Sequence, residues 1–356
     1  MIINNQKKID LFKKYFNKKK YVCVDTEFER KKTYFSKLSI ITISDGKKFF
    51  IFDILENPEI IEIIRDLFKS KKLLKIVHGG SQDIEIFLNH KINIEPFFDT
   101  QIASGFLGID KNISYANLVK KFFKKQIDKT HQNMNWLKRP IIKSQINYLK
   151  KDVIYLKQIY DLQIKILKKF KKLKFANEEF TFLVKNIKNN KGINSKFRKK
   201  LGFQICNLKE FFIFLSIRES KGKIENLPKN WILKDEDIIT MIKTRKIEIL
   251  KKNKHFSNLE KGKLTKLLKK IFKIKIKKQN NEIEIKCLEF FRYLVSKKYT
   301  IDANLIASKY DLIDYKNIKG KSKWRKRIYF DVFEKIIRGK KNFILNNFKP
   351  SSQKLH

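Results

Sequence analysis

The stretch YVCVDTEFER, Tyr21 to Arg30, begins as an apolar run and then sets two carboxylates, Asp25 and Glu27, one residue apart. Tyr21 to Val24 are apolar or aromatic and β-prone, which predicts a buried strand. Residues two apart on a strand leave the same face, so Asp25 and Glu27 project together. Carboxylates at the end of a buried strand are costly unless something cationic meets them. Taken alone, D-x-E fits a pair of exposed strand-end carboxylates as well as it fits a metal site.

The charge balance sharpens that choice. Across 356 residues, 83 Lys+Arg stand against 36 Asp+Glu, a net charge of +47. Many Lys, Ile, Asn and Phe with only 11 Gly and 5 Pro suggest a biased genome. That bias would not itself prevent compensating acids, so the excess predicts a polyanionic partner, a nucleic-acid backbone before a membrane surface. An apolar content of 42% fits a globular chain. No apolar stretch is long enough to span a bilayer, and MIINNQKKID has no signal-peptide core, so the expected location is cytoplasmic. Cys23, Cys206 and Cys287 are too scattered to predict a disulfide framework or a zinc site.

Residues 1–175 read as α/β. Strands are predicted at Tyr21–Asp25, Lys37–Ser44 and Lys47–Ile54, the last two joined by the hairpin signal Asp45-Gly46. A helix follows over Pro58–Phe68, then a strand in LLKIVHGG and a helix from Ser81, the expected N-cap. EPFFDTQIASGFLG reads as a short strand entering a helix, and Ser144–Phe170 as one long helical stretch. Beyond about residue 175 the pattern is helical, with blocks at 200–280 and 283–345 and a frayed tail at 346–356.

Two further acids lie beside apolar runs in this acid-poor chain. Asp83 opens the helix after VHGG, and Asp152 follows Tyr148 by four residues, so those two share a helix face. The alternative is a set of unrelated surface charges paired with lysines.

Four segments carry a family resemblance. VDTEFERKKTYFSKLSIITI, KIVHGGSQDIEIF, FDTQIASGFLG and YLKKDVIYL resemble, in order and spacing, the motifs of ribonuclease D, of the DEDD exonuclease superfamily. Tyr148 ahead of Asp152 resembles the subclass with a tyrosine in the third motif, and DKTHQNMNWLKRPI is similar to the segment preceding it. LKEFFIFLSIRES and NLPKNWILKDEDII resemble the helical (HRDC) domain shared by RecQ helicases and ribonuclease D. IDANLIASKYDL and WRKRIYFDVFEKIIRG are similar to the family's C-terminal helices.

The resemblance implies a ribonuclease-H-like mixed α/β sheet flanked by helices, followed by two small all-α domains. It implies two divalent ions, Mg²⁺ or Mn²⁺, roughly 4 Å apart and held by carboxylates. Asp25 would bridge both ions, Glu27 and Asp152 would hold the water-activating one, and Asp83 would serve the other, partly through water. Tyr148 would position the attacking water. Thr26, Phe28, His78, Trp136 and Arg139 are candidate substrate contacts, with core packing or surface pairing as the alternative for each; His131 and Gln132 are weaker ones. Lys150 and Lys151 depart from the family pattern beside Asp152, and Gln82 replaces a frequent acid.

The expected function is 3′→5′ exoribonuclease action on structured RNAs with short single-stranded 3′ ends, tRNA precursors first, by a monomer away from membranes. The helical blocks would add basic surface, so removal of residues from about 195 onward should spare hydrolysis of short RNA. The rivals are a 3′→5′ exodeoxyribonuclease of the same superfamily and an RNA-binding protein whose nuclease site has decayed.

Overall fold

The computed structural model describes residues 1–127, 134–188, 195–206, 208–274, 282–313, 315 and 322–340; His131, Gln132 and the tail 346–356 lie outside them. A two-residue strand β1 (Ile2–Ile3) and helix α1 (Gln6–Phe16) precede β2 (Tyr21–Glu29), β3 (Lys37–Ser44) and β4 (Phe49–Asp53). After a 3₁₀ turn come α2 (Ile61–Phe68), β5 (Leu74–Val77), α3 (Ser81–Asn89), β6 (Phe97–Asp99) and α4 (Thr100–Phe106). The strands form one mixed sheet in the order β1-β4-β3-β2-β5-β6. β2 pairs antiparallel with β3 and parallel with β5, so it is central and its Val22, Cys23 and Val24 are buried.

Alternation along β2 decides what meets the carboxylates. Cys23, Asp25 and Glu27 share one face. Helices α5 (Tyr115–Phe123), α6 (Lys143–Ile154) and α7 (Leu156–Lys169) follow β6 and α4. Val153 and Leu156 pack on Cys23 and Ile76, while Leu149 packs on Ile40, Ile51 and Trp136. α6 therefore covers the face that carries Asp25 and Glu27. The expected single helix over Ser144–Phe170 is broken at Tyr155, because the Tyr115 hydroxyl enters its hydrogen-bond ladder. That hydroxyl donates to the Lys151 carbonyl and accepts from the Tyr155 N–H, both at 3.1 Å.

Ser81 is not an N-cap. Gly80 holds that position without a side-chain bond, and Ser81 is the first helical residue. The turn is fixed instead by Asp99, whose carboxylate accepts from the N–H groups of Gly79 (3.0 Å) and Gly80 (2.9 Å). The same carboxylate caps α4 through the N–H groups of Gln101 and Ile102. Gly79 sits at φ +63°, where a side chain would be strained.

The remaining helices are α8 (Leu173–Lys188), α9 (Ser195–Cys206), α10 (Lys209–Glu225), α11 (Lys229–Ile232), α12 (Asp235–Thr244), α13 (Glu248–Lys252) and α14 (Asn258–Phe272). After them come α15 (Glu282–Tyr299), α16 (Ala303–Ile306), α17 (Lys309–Ile313), α18 (Lys323–Arg325) and α19 (Asp331–Ile337). α9 to α14 enclose their own core, built on residues such as Phe211, Phe214, Ile238, Met241 and Leu264. The helices from α15 onward do not. Leu288, Val295, Leu305, Trp324 and Phe333 belong to the same apolar core as Phe106, Ala176 and Phe180.

Trp324 is fully buried, its ring edge-on to Phe106 at 4.9 Å and stacked on Phe175 at 5.9 Å, and its indole N–H donates to Glu179 at 2.9 Å. The Lys172 ammonium joins the two parts by donating to the carbonyls of Phe106 and Thr300, each at 3.0 Å. Cutting the chain near residue 195 would therefore uncover the core of the exonuclease block, so such a truncation should impair hydrolysis of short RNA rather than spare it. Trp324→Ala should destabilise the exonuclease block by about 3–5 kcal/mol, the usual cost of truncating a buried aromatic. Denaturant unfolding followed by far-UV dichroism measures it; a change below about 1 kcal/mol would mean that the C-terminal helices are only loosely applied.

Candidate active site

The open end of β2, the start of α3 and the inner face of α6 surround a cleft of about 720 Å³ lined by Asp25, Glu27, Asp83, Tyr148 and Asp152. Asp25, Glu27 and Asp152 are half-buried, and each offers a carboxylate oxygen within 4.8 Å of the others. A β-bulge between Glu27 and Phe28 ends the regular register with β3 just past the second acid. Asp83 is held by the Thr26 hydroxyl, which donates to its carboxylate. Tyr148 donates to Asp152, one turn on along α6.

Of the candidate substrate contacts, Thr26, Phe28, His78 and Trp136 also line the cleft. Phe28 is half-buried against the core. Trp136 is only 4% exposed and packs on the Tyr148 ring at 5.8 Å, so it braces the tyrosine more than it presents a stacking face. His78 Nε2 donates to the Ile113 carbonyl at 3.0 Å and Nδ1 lies 2.9 Å from the Thr100 hydroxyl, so both ring nitrogens are engaged within the protein. Arg139 is elsewhere. Its guanidinium grips Asp53 through two 2.6 Å bonds and also donates to Ser39 and the Trp136 carbonyl, which fixes the loop before α6 to the sheet. A phosphate contact from Arg139 is thus ruled out by its internal partners.

Lys150 and Lys151 are both exposed. Lys150 lies over the Phe49 ring, while Lys151 acts on Asp152 only by moderating its raised pKa. Sequence reading missed Tyr115 and Asp99, which set the break beside Asp152 and the turn before Asp83. Neither has a local pattern that announces a long-range partner.

Burial, reinforced by repulsion from Asp152, Glu27 and Asp83, drives the Asp25 pKa well above the ordinary carboxylate range. Burial and then Asp152 and Asp83 push Glu27 to about 9. Burial likewise raises Asp83 and Asp152 to about 6 each. Such a cluster of hard oxygen donors, costly when ionised together, suits a divalent cation.

Without metal, the folded protein retains protons here that the unfolded chain has released. Its stability should therefore fall as pH rises from the ordinary carboxylate range through about 6 and on to about 9. In chelator, Glu27→Gln should raise the melting temperature at about pH 8 by roughly 2–4 °C for each kcal/mol of repulsion removed, and by less at about pH 5. A gain independent of pH would mean that Glu27 does not carry the repulsion.

Residues 1–168 match the family model for the 3′-5′ exonuclease domain. Ribonuclease D of Bartonella henselae is 28% identical over 94% of this chain and 89% of its own length. Ribonuclease D of Shewanella is 29% identical over 62% of this chain and 58% of that protein. Among solved structures, Escherichia coli RNase D superposes with a TM-score of 0.71 at 20% identity, covering 96% of this chain and 99% of that one. The catalytic core of Trypanosoma brucei RRP6 gives 0.52 at 18%, over 76% and 79%. The chain thus carries a 3′-5′ exonuclease domain over its first 168 residues and aligns along nearly all of its length with a ribonuclease D, the family that it resembles in sequence and in fold.

Proposed function

We propose that this chain, a 3′→5′ exoribonuclease of the ribonuclease D type, removes nucleotides from RNA 3′ ends with two divalent ions, Mg²⁺ or Mn²⁺. Its proposed substrates are structured RNAs with short single-stranded 3′ ends, tRNA precursors first. The observation that carries the reading is the convergence of Asp25, Glu27 and Asp152, with Asp83 at the same cleft, in a chain of net charge +47. By family likeness Asp25 would serve both ions, Glu27 and Asp152 would help hold one of them, and Asp83 would serve the other. When bound, the ions would neutralise charge on the phosphodiester and favour ionisation of the attacking water.

The chain's own groups supply position. Burial, and then the charges of Asp152, Glu27 and Asp25, raise the Tyr148 pKa, so its hydroxyl stays protonated at neutral pH. It can orient a water by hydrogen bond but is no general base. Thr26 orients Asp83, and Trp136 braces Tyr148. The lysine-rich surface would contact phosphates without reading sequence, which suits many RNAs sharing a 3′ end. In domain terms the reading takes residues 1–175 as the exonuclease domain, its core completed by the helices from α15 onward, and 200–280 as an HRDC-like domain, in a chain acting as a monomer. No helix among the described residues is long and apolar enough to cross a membrane.

End-labelled RNA and DNA digested with Mg²⁺, Mn²⁺ or EDTA test the activity. One-nucleotide shortening of RNA from the 3′ end, absent in EDTA, is expected; internal cuts would overturn it. Tyr148→Phe should slow turnover by roughly 10- to 1,000-fold with RNA affinity little changed. An unchanged rate would leave Tyr148 a packing residue. Asp152→Asn should abolish hydrolysis while RNA binding holds or tightens, because the basic surface is intact and the cleft repels phosphate less. Turnover at the original rate would remove Asp152 from the ligand set.

A further inference from the structure

Three tryptophans serve this chain in different ways. Trp136 and Trp324 are 4% and 0% exposed, whereas Trp231 leaves 54% of its surface to solvent. An indole that is not packed away is uncommon unless its face has a use. Trp231 belongs to the short helix α11 and lines a second cleft, of about 560 Å³, with Leu227, Lys234, Asn253, Lys254 and His255. Lys229, Lys234 and Lys254 are exposed around it. An open aromatic face among exposed cations is the usual platform for a single-stranded nucleic acid: the base stacks and the phosphates meet lysine.

The second cleft is joined to the first by one loop. Glu29, Arg30 and Lys31, which follow the catalytic carboxylates on β2, still line the active-site cleft. Three residues further on, the Tyr34 hydroxyl donates to Glu219 of α10 and its N–H donates to the Asn226 carbonyl at 3.2 Å. The Phe35 N–H donates to the Asn226 side chain at 3.3 Å. The Tyr34 ring lies so close to Gly222 that an added Cβ there would stand 3.2 Å from it. Leu227, the residue after Asn226, opens the second cleft. Phe35, on this same connection, is 40% exposed, and Lys223 sits over the Tyr34 ring.

We propose that Trp231 is a base-stacking site for the single strand upstream of the reacting 3′ end, a reading that rests on the exoribonuclease assignment. The strand leaves the carboxylate cleft by Lys31, crosses Phe35 and Lys223, and lays a base on Trp231 with its phosphates against Lys234 and Lys254. The Tyr34–Asn226 contact keeps the two clefts in register. A 3′ tail must then reach a minimum length before it gains the second anchor, so affinity steps up with tail length while the chemistry stays at Asp25.

Because the other two indoles are buried, iodide-quenchable emission reports Trp231. The experiment uses full-length Asp25→Asn protein, which keeps the RNA intact, titrated with oligoadenylates from a dinucleotide to a dodecanucleotide. Short oligomers should leave the iodide-accessible emission unchanged, and longer ones should quench it and shield it from iodide. Adding Trp231→Ala should weaken the longest RNA by roughly 5- to 150-fold, the range for one lost base–aromatic stack. Trp231→Phe should recover most of that affinity, which a folding defect would not allow. Heparin, a polyanion without bases, should not shield the indole. Unchanged emission with bound RNA, undiminished affinity in Trp231→Ala, or equal shielding by heparin would each overturn the site. Wild-type protein that fails to shorten RNA at all would instead overturn the exoribonuclease reading, so the two failures are separable.

Discussion

Mutual repulsion among Asp25, Glu27 and Asp152, with carboxylate oxygens inside 4.8 Å, is the constraint around which the exonuclease block is arranged. Burial first, and like charge at that distance second, raise the pKa values of Asp25 and Glu27, so ionising the cluster opposes folding. What holds them together is apolar. Cys23, on the same strand face as the acids, packs under Val153 and Leu156, and Leu149 reaches Ile40 and Ile51. Each buried side chain of that kind contributes about 1.5–3 kcal/mol, enough in sum to keep α6 on the sheet despite the charges it brings. Asp99 and Tyr115 then set angles, one at the turn before Asp83 and the other at the break after Asp152. A site under electrostatic stress is primed to gain from a cation, and these packing contacts and hydrogen bonds hold its ligands in place for one.

The helical half divides into two different relations with that block. α15 to α19 complete its core through Trp324, Phe333 and the Lys172 pin, so they belong to its stability. α9 to α14 keep a core of their own and touch the catalytic region at the loop after β2, through Tyr34 and Phe35. An element with its own core, set beside the mouth of the cleft, is well placed to govern access of a long substrate without altering the metal cage. Division of labour of this kind suits an enzyme whose chemistry is the same for every RNA and whose selectivity lies in what can reach the site.

Local periodicity made much of this legible. The two-residue spacing of Asp25 and Glu27 and the four-residue spacing of Tyr148 and Asp152 each predict a shared face from one element alone, and the structure sets the two faces against each other. The Asp45-Gly46 hairpin and the apolar runs on either side likewise declare themselves. What escaped depends on partners far along the chain. Arg139 could be read as a phosphate contact or as half of an ion pair, because its partner Asp53 lies 86 positions away. Ser81 looked like a cap because the carboxylate that replaces it comes from Asp99. The helix over 144–170 looked continuous because the hydroxyl that breaks it belongs to Tyr115. The C-terminal helices read as a separate block since nothing in an amphipathic helix says which core its apolar face will join.

The central claim is that the carboxylate cluster exists to hold divalent ions against a phosphodiester. Anomalous diffraction from crystals grown with Mn²⁺ and a short RNA bearing a non-hydrolysable 3′-terminal linkage tests it most directly. The account predicts two anomalous peaks in the cleft, one of them touching Asp25, Glu27 and Asp152 together, with the terminal phosphate beside them. RNA bound in the cleft with no anomalous density among these carboxylates would contradict it.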